Sequence, residues 1–319
     1  MEKNRWSRIW SSLLKISLSL IALLLVVKFV DARQTIHIIA RADKALFVSS
    51  FVLYQLSIVI RAYRWNILLK SYSLNLSLYR ATLFFYTGMF FGLVLPTGFG
   101  GDVVRAIALG KETKSEISTV SVIVDRLSGL LVLFGLALVV LPFGYNILSR
   151  TLLMTTGILC LGGLLAGFVF LEGSLLNYIV KHISRANNPT LRWVQRFNKA
   201  VFQLKKRKSE LWKVFGVSFV FNLLWIMVHY QLALALDLNL PLILLFTVVP
   251  IATILALVPS IQGLGLRESA IVLVLVTSSG VESSQALALS LLVSFMPISA
   301  GLIGGVLYLL NWALFESRT

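Results

Sequence analysis

Cysteine, histidine and acidic residues are all scarce in this chain, and each shortage closes off a class of chemistry. The one cysteine, Cys160, lies inside a hydrophobic run, so there is no disulfide framework and no redox compartment to read. His37, His182 and His229 are scattered without metal-ligand spacing, and neither a metal nor a cofactor is expected. No Asp-x-Asp occurs, which metal-assisted sugar transfer from a nucleotide donor commonly needs. No Gly-x-x-x-x-Gly-Lys-Ser/Thr occurs either, so uphill work must draw on an ion gradient or mass action. Charged residues make up 13% of the chain, against about 25% in a soluble domain. The longest stretch without a long apolar run is 173–211, shorter than the ~50 residues of an independent domain.

What fills the chain instead is apolar sequence: 58% hydrophobic residues, in repeated runs of about twenty that match a ~30 Å hydrocarbon core. The composition predicts an all-α polytopic membrane protein, a single integral membrane domain over 1–319. Full spans are expected at 12–30, 45–63, 118–141, 152–171, 212–236 and 286–312. The basic start, 1–15, is not followed by a small-residue cleavage site and reads as the flank of an uncleaved first span. The net charge of +16 reflects loops that face an anionic cytoplasmic leaflet, not a nucleic-acid partner.

Two apolar pieces fall short of a span. Segment 81–95 runs into Pro96-Thr97-Gly98-Phe99-Gly100-Gly101-Asp102, and 241–258, which contains Pro250, runs into Pro259-Ser260-Ile261-Gln262-Gly263-Leu264-Gly265. Both read as re-entrant helical hairpins, 81–108 and 241–279. The segments 61–80 and 173–213 carry four and ten basic residues, which puts both in the cytoplasm together with the two termini. An even number of crossings must separate them, and the hairpin reading supplies it. The two halves, 1–145 and 150–319, then form an inverted repeat, an architecture of secondary transporters.

Ionisable residues at membrane depth are expensive in lipid and so face protein or water. Six qualify: Asp102, Arg105, Asp125, Arg126, Arg267 and Glu268. Pairings of Arg105 with Asp125 and of Arg126 with Glu268 would satisfy four of them. The charges either staple the hairpins in place or hold arginines for a phosphate, to which a guanidinium offers a planar two-pronged donor. Glycines at 98, 100, 101, 263 and 265 would let backbone amides approach such a ligand, and a half-helix starting near Gly265 would aim its positive end at it.

The run from Pro96 through Arg105, then Asp125-Arg126-Leu127-Ser128-Gly129, then Gly263-Leu264-Gly265-Leu266-Arg267-Glu268, resembles the motifs of one family. It is the flippase-like membrane family related to the transmembrane half of lysylphosphatidylglycerol synthases. Arg61-Ala62-Tyr63-Arg64-Trp65 resembles a further feature of that family at the end of the second span. The resemblance implies translocation of a charged lipid between leaflets, with the hairpin arginines and acids beside the headgroup path. The two-part synthases carry a soluble aminoacyl-transferring domain after the membrane half. The chain ends at Thr319 without one and is similar to the stand-alone members.

The expected function is therefore a flippase of the cytoplasmic (inner) membrane for a phospholipid or polyprenyl-phosphate lipid. Its substrate-binding set is Arg105, Arg126, Arg267, Asp102, Asp125, Glu268, Gly100, Gly101, Gly263 and Gly265, with Arg61, Arg64 and His229 secondary. Two alternatives stay open: a membrane-embedded transferase acting on a lipid headgroup, and a non-catalytic partner of a separate lipid synthase. A homo-oligomer is compatible with either. Residues 189–204 space Leu191, Val194, Phe197, Val201 and Leu204 as on an amphipathic helix, expected to lie on the anionic cytoplasmic leaflet. Glu112 and Glu116 read as solvated, the aromatics of 84–91 as core or lipid-facing, and Gly163, Gly167, Gly301 and Gly305 as helix-packing positions.

Overall fold

The computed structural model describes residues 32–95, 99–172, 189–257 and 264–311. The expected span 12–30, Gly263, His182 and the stretches 96–98 and 258–263 lie outside the described residues. Among the described residues eleven α-helices follow one another: α1 Ala32–Ala40, α2 Lys44–Lys70, α3 Leu78–Val94, α4 Gly100–Gly110, α5 Ser115–Val140, α6 Arg150–Glu172, α7 Pro189–Lys206, α8 Lys208–Ala235, α9 Leu242–Leu255, α10 Leu266–Ser279 and α11 Ser283–Leu310. No strand occurs among the described residues. Among the described residues, five helices are long and apolar enough to cross a membrane: α2, α5 with its 3-10 extension to Gly144, α6, α8 and α11. They coincide with five of the six expected spans.

Local chemistry sets several boundaries. Asp43 caps α2 by accepting the Leu46 N–H at 2.9 Å, and Ser77 caps α3 through the Arg80 N–H at 3.3 Å. α3 and α9 are apolar but have 17 and 14 residues, roughly 25 and 21 Å of helix, which falls short of the hydrocarbon core. Each is followed by a second short helix, α4 and α10, that packs against it.

One boundary corrects the sequence reading. α2 runs to Lys70 rather than ending near 63. Arg64 is buried and Arg61 half-buried inside this helix, so two of the four basic residues credited to a cytoplasmic loop belong to the protein interior.

The core is built where small residues let backbones approach. α3 lies against α11, and a Cβ on Gly304 would overlap the Tyr86 carbonyl, while one on Gly305 would come within 2.8 Å of Phe90 Cδ2. Gly163 and Gly167 of α6 likewise receive Phe134 and Leu131 of α5. α2 packs along α8, where the rings of Tyr54 and Trp225 meet at 5.3 Å. α11 is the most enclosed long helix, whereas α6 presents Ile158, Leu165 and Phe168 outward.

The amphipathic helix is present as α7, but Phe197, Val201 and Leu204, which the sequence assigns to lipid, pack against Ile67, Leu68 and Val124. Tyr72, in the turn after α2, donates to the Ala200 carbonyl at 2.8 Å, and burial raises its hydroxyl pKa. Glu116 is not solvated: it is buried and accepts Arg196 of α7 at 2.8 Å. Glu112 pairs with Arg80 at the surface.

Candidate functional site

Helices α2, α3, α4, α5, α8, α9, α10 and α11 converge on a cavity of about 290 Å³. Arg61, Arg64, Asp102, Arg105, Arg126, Arg267, His229, Gly100 and Gly101 all line it. Asp125 and Glu268 lie directly behind that lining, 1% and 0% exposed. Apart from Gly263, which is not described, the sequence-selected set is brought to one place.

On one wall the charges alternate in a chain. Arg64 Nε donates to Asp125 Oδ1 at 2.8 Å, and Arg105 NH2 donates to Asp125 Oδ2 at 3.2 Å. Arg105 NH1 reaches Asp102 Oδ1 at 3.3 Å, and the other oxygen of Asp102 accepts Arg126. The pairing of Arg105 with Asp125 is as the sequence predicts. That of Arg126 with Glu268 is not: Arg126 takes Asp102, from the helix packed beside its own.

Aromatic and small residues hold this chain in place. The Arg105 guanidinium lies 3.6 Å from the Phe85 ring centroid and 4.5 Å from that of Trp65. Trp65 in turn donates to Ser121 at 3.1 Å. Gly129 leaves room for Arg64, whose NH1 would stand 2.8 Å from a Cβ there. Arg64 NH1 also donates to Ser218 at 3.1 Å, and Asn222 donates to the Gly129 carbonyl at 2.9 Å, tying α8 to the same wall. A Cβ on Gly101 would overlap the Gly88 carbonyl, so the crossing of α3 and α4 requires glycine.

The opposite wall is organised by Glu268. Its Oε2 accepts the backbone N–H of Gly265 at 2.6 Å, and its Oε1 accepts the Ser294 hydroxyl of α11. Gly265 sits at φ 85, a conformation that a side chain would strain, and this starts α10 so that Arg267 lines the cavity. Arg267 Nε is 3.9 Å from Glu268 Oε1. His229 donates from Nδ1 to the Trp225 carbonyl at 2.8 Å, the position of a packed helix histidine.

Arg61 stands apart. Among the described residues its buried Nε has no hydrogen-bond partner, and its guanidinium lies 5.0 Å from the Phe85 ring and 5.4 Å from the Phe221 ring. The sequence reading does not select Phe85, Gly88, Phe221 or Asn222, and it quotes Trp65 only within the run from Arg61. No periodic signal separates them from ordinary core; in space, arginine contact marks Phe85, Trp65 and Phe221, and close approach to the charged wall marks Gly88 and Asn222.

The described arrangement can do one thing well chemically: present guanidinium groups to an anion inside a hydrophobic assembly. The model of the lysylphosphatidylglycerol synthase transmembrane region matches residues 12–305. A UPF0104 membrane protein of Pyrococcus horikoshii is 28% identical over 129 residues, which cover 39% of this chain and 38% of that protein. With the family match extending over nearly the whole chain and its motif residues gathered around one cavity, the chain belongs to the family of the lysylphosphatidylglycerol synthase transmembrane region.

Proposed function

We propose that the protein moves a phosphate-bearing lipid, a phospholipid or a polyprenyl phosphate, between the leaflets of the cytoplasmic membrane. The observation that carries this is the arginine-lined cavity to which both short-helix pairs contribute lining residues. Its size, near the lower end of the ~300–1,000 Å³ usual for small-molecule sites, suits a headgroup and not acyl chains.

In this reading Arg126 and Arg267 contact the phosphate. Asp102, 18% exposed at its side chain, holds Arg126 until the phosphate displaces it. Arg105, fixed by both Asp125 and Asp102, acts as a strut, a change from the contact role expected of it. Gly100 and Gly101 open α4, and its N-terminal amides add to the anion site.

An inverted repeat of 1–145 and 150–319 would supply alternating access, one half rocking on the other. Its support is a matching order of elements, α2-α3-α4-α5 and α8-α9-α10-α11, each a long helix, two short ones and a long one. The packing also exchanges between halves: α3 lies on α11, and its counterpart α9 lies on α5. With both short-helix pairs re-entrant, both termini fall in the cytoplasm, and the exposed Lys199, Lys206 and Arg207 face the anionic leaflet.

Native mass spectrometry of the detergent-purified protein tests the site. The wild type should retain a phosphate-bearing lipid of unchanged mass, and Arg126→Gln with Arg267→Gln should lose it. A covalently altered lipid after incubation would point to a transferase instead, and no retained lipid in either form would contradict the reading.

A further inference from the structure

Arg61 is the cation that the carboxylates of this site leave over. Arg61, Arg64, Arg105, Arg126 and Arg267 line the cavity, and the carboxylates against them are Asp102, Asp125 and Glu268. Among the described residues, five against three leaves a formal excess of two positive charges. The stretches 96–98 and 258–263, next in sequence to lining residues, contain no ionisable side chain that would change the tally. Among the described residues Arg61 has no carboxylate partner, and its Nε, buried, donates to nothing. Positive charge held largely out of water without a counter-charge is disfavoured, so the described side chains of the cavity do not balance one another electrostatically.

We propose that the cavity selects a dianionic phosphate monoester over a phosphodiester, a zwitterion or a cationic headgroup, and that Arg61 is the selecting residue. The inference rests on the phosphate-lipid reading above and chooses between its two lipids: the polyprenyl phosphate, a monoester, rather than a diester phospholipid. A monoester phosphate brings about two negative charges at neutral pH, matching the excess of two. A diester brings one, and a cationic headgroup would add to the imbalance. The Phe85 and Phe221 rings hold the Arg61 guanidinium, so its donors meet the phosphate already placed. Among the described residues Arg61 makes no hydrogen bond or ion pair, so replacing it removes ring contacts alone.

The test compares binding of phosphatidate, phosphatidylglycerol, phosphatidylethanolamine and inorganic phosphate to the purified protein. Phosphatidate should bind at least tenfold more tightly than phosphatidylglycerol, with phosphatidylethanolamine weaker still. Arg61→Gln should weaken phosphatidate tenfold or more and abolish the preference, while Arg61→Lys restores most of it. Equal or tighter binding of the diester or the zwitterion, or an Arg61→Gln variant that stays monodisperse and keeps the preference, would overturn the proposal. Inorganic phosphate binding as tightly as phosphatidate would uphold the dianion site and reject a lipid as its source. In vesicles, tight phosphatidate binding without transbilayer movement would refute translocation and leave the charge selection standing. Movement of phosphatidylethanolamine as fast as phosphatidate would refute the selection and leave translocation standing.

Discussion

Asp125 is 1% exposed and bridges Arg64 at 2.8 Å and Arg105 at 3.2 Å, so Asp125→Asn leaves two buried guanidiniums facing an amide. Breaking a buried pair by neutralising one partner destabilises by about 3–5 kcal/mol. The two contacts share one carboxylate, so their losses do not simply add, and the lower end applies. At roughly 2–4 °C per kcal/mol, that is a fall in Tm of about 6–12 °C. Asp102→Asn is the control in the same chain of charges. Its side chain is 18% exposed and that of Arg126 29%, so solvent screening limits the loss to about 1 kcal/mol. Arg105 meanwhile keeps Asp125. Both variants are heated in detergent and the surviving monodisperse fraction is read by size-exclusion chromatography. A fall for Asp125→Asn no larger than that for Asp102→Asn would refute the ion-pair chain as the centre of this wall.

Gly101→Ala and Gly304→Ala each drive a methyl group onto a neighbouring carbonyl oxygen and should destabilise by about 1–3 kcal/mol or more, whereas Gly216→Ala on α8 meets open space and should stabilise by up to about 1 kcal/mol. The same thermal assay ranks all three. Arg196→Ala removes the partner of the buried Glu116; with Arg196 largely exposed but the carboxylate buried, the global loss should fall between the surface-pair and buried-pair ranges, about 1–3 kcal/mol. Hydrogen exchange should also quicken in α7, and unchanged exchange there would show that the ion pair does not anchor the helix.

The long helices were legible because a run of apolar residues has one solution in lipid, and the five described spans fall where the runs are. The short helices were legible for the same reason, with glycine and proline marking their ends. Arg105 with Asp125 could be anticipated from the need to neutralise charge at depth. Arg126 with Asp102 could not, since the choice between Asp102 and Glu268 depends on which helix packs beside α5. Arg64 and Arg61 were underrated because they follow an apolar run that already suffices to span, which makes them read as loop charges. The helix instead continues to Lys70 and carries them inward. Phe85 and Phe221 look like any membrane aromatic until the guanidiniums lie over them. The apolar stripe of α7 was visible, but a stripe does not say whether lipid or protein covers it.

Translocation is tested most directly in proteoliposomes carrying a tail-labelled phosphate-bearing lipid in both leaflets. An impermeant reductant added outside bleaches the outer leaflet and then reports how fast inner-leaflet label reaches it. Wild-type protein should expose the inner pool, and Arg126→Gln with Arg267→Gln, monodisperse and reconstituted to the same density, should not. An inner pool that stays protected with every phosphate-bearing lipid, with and without a pH gradient, would contradict the proposed function.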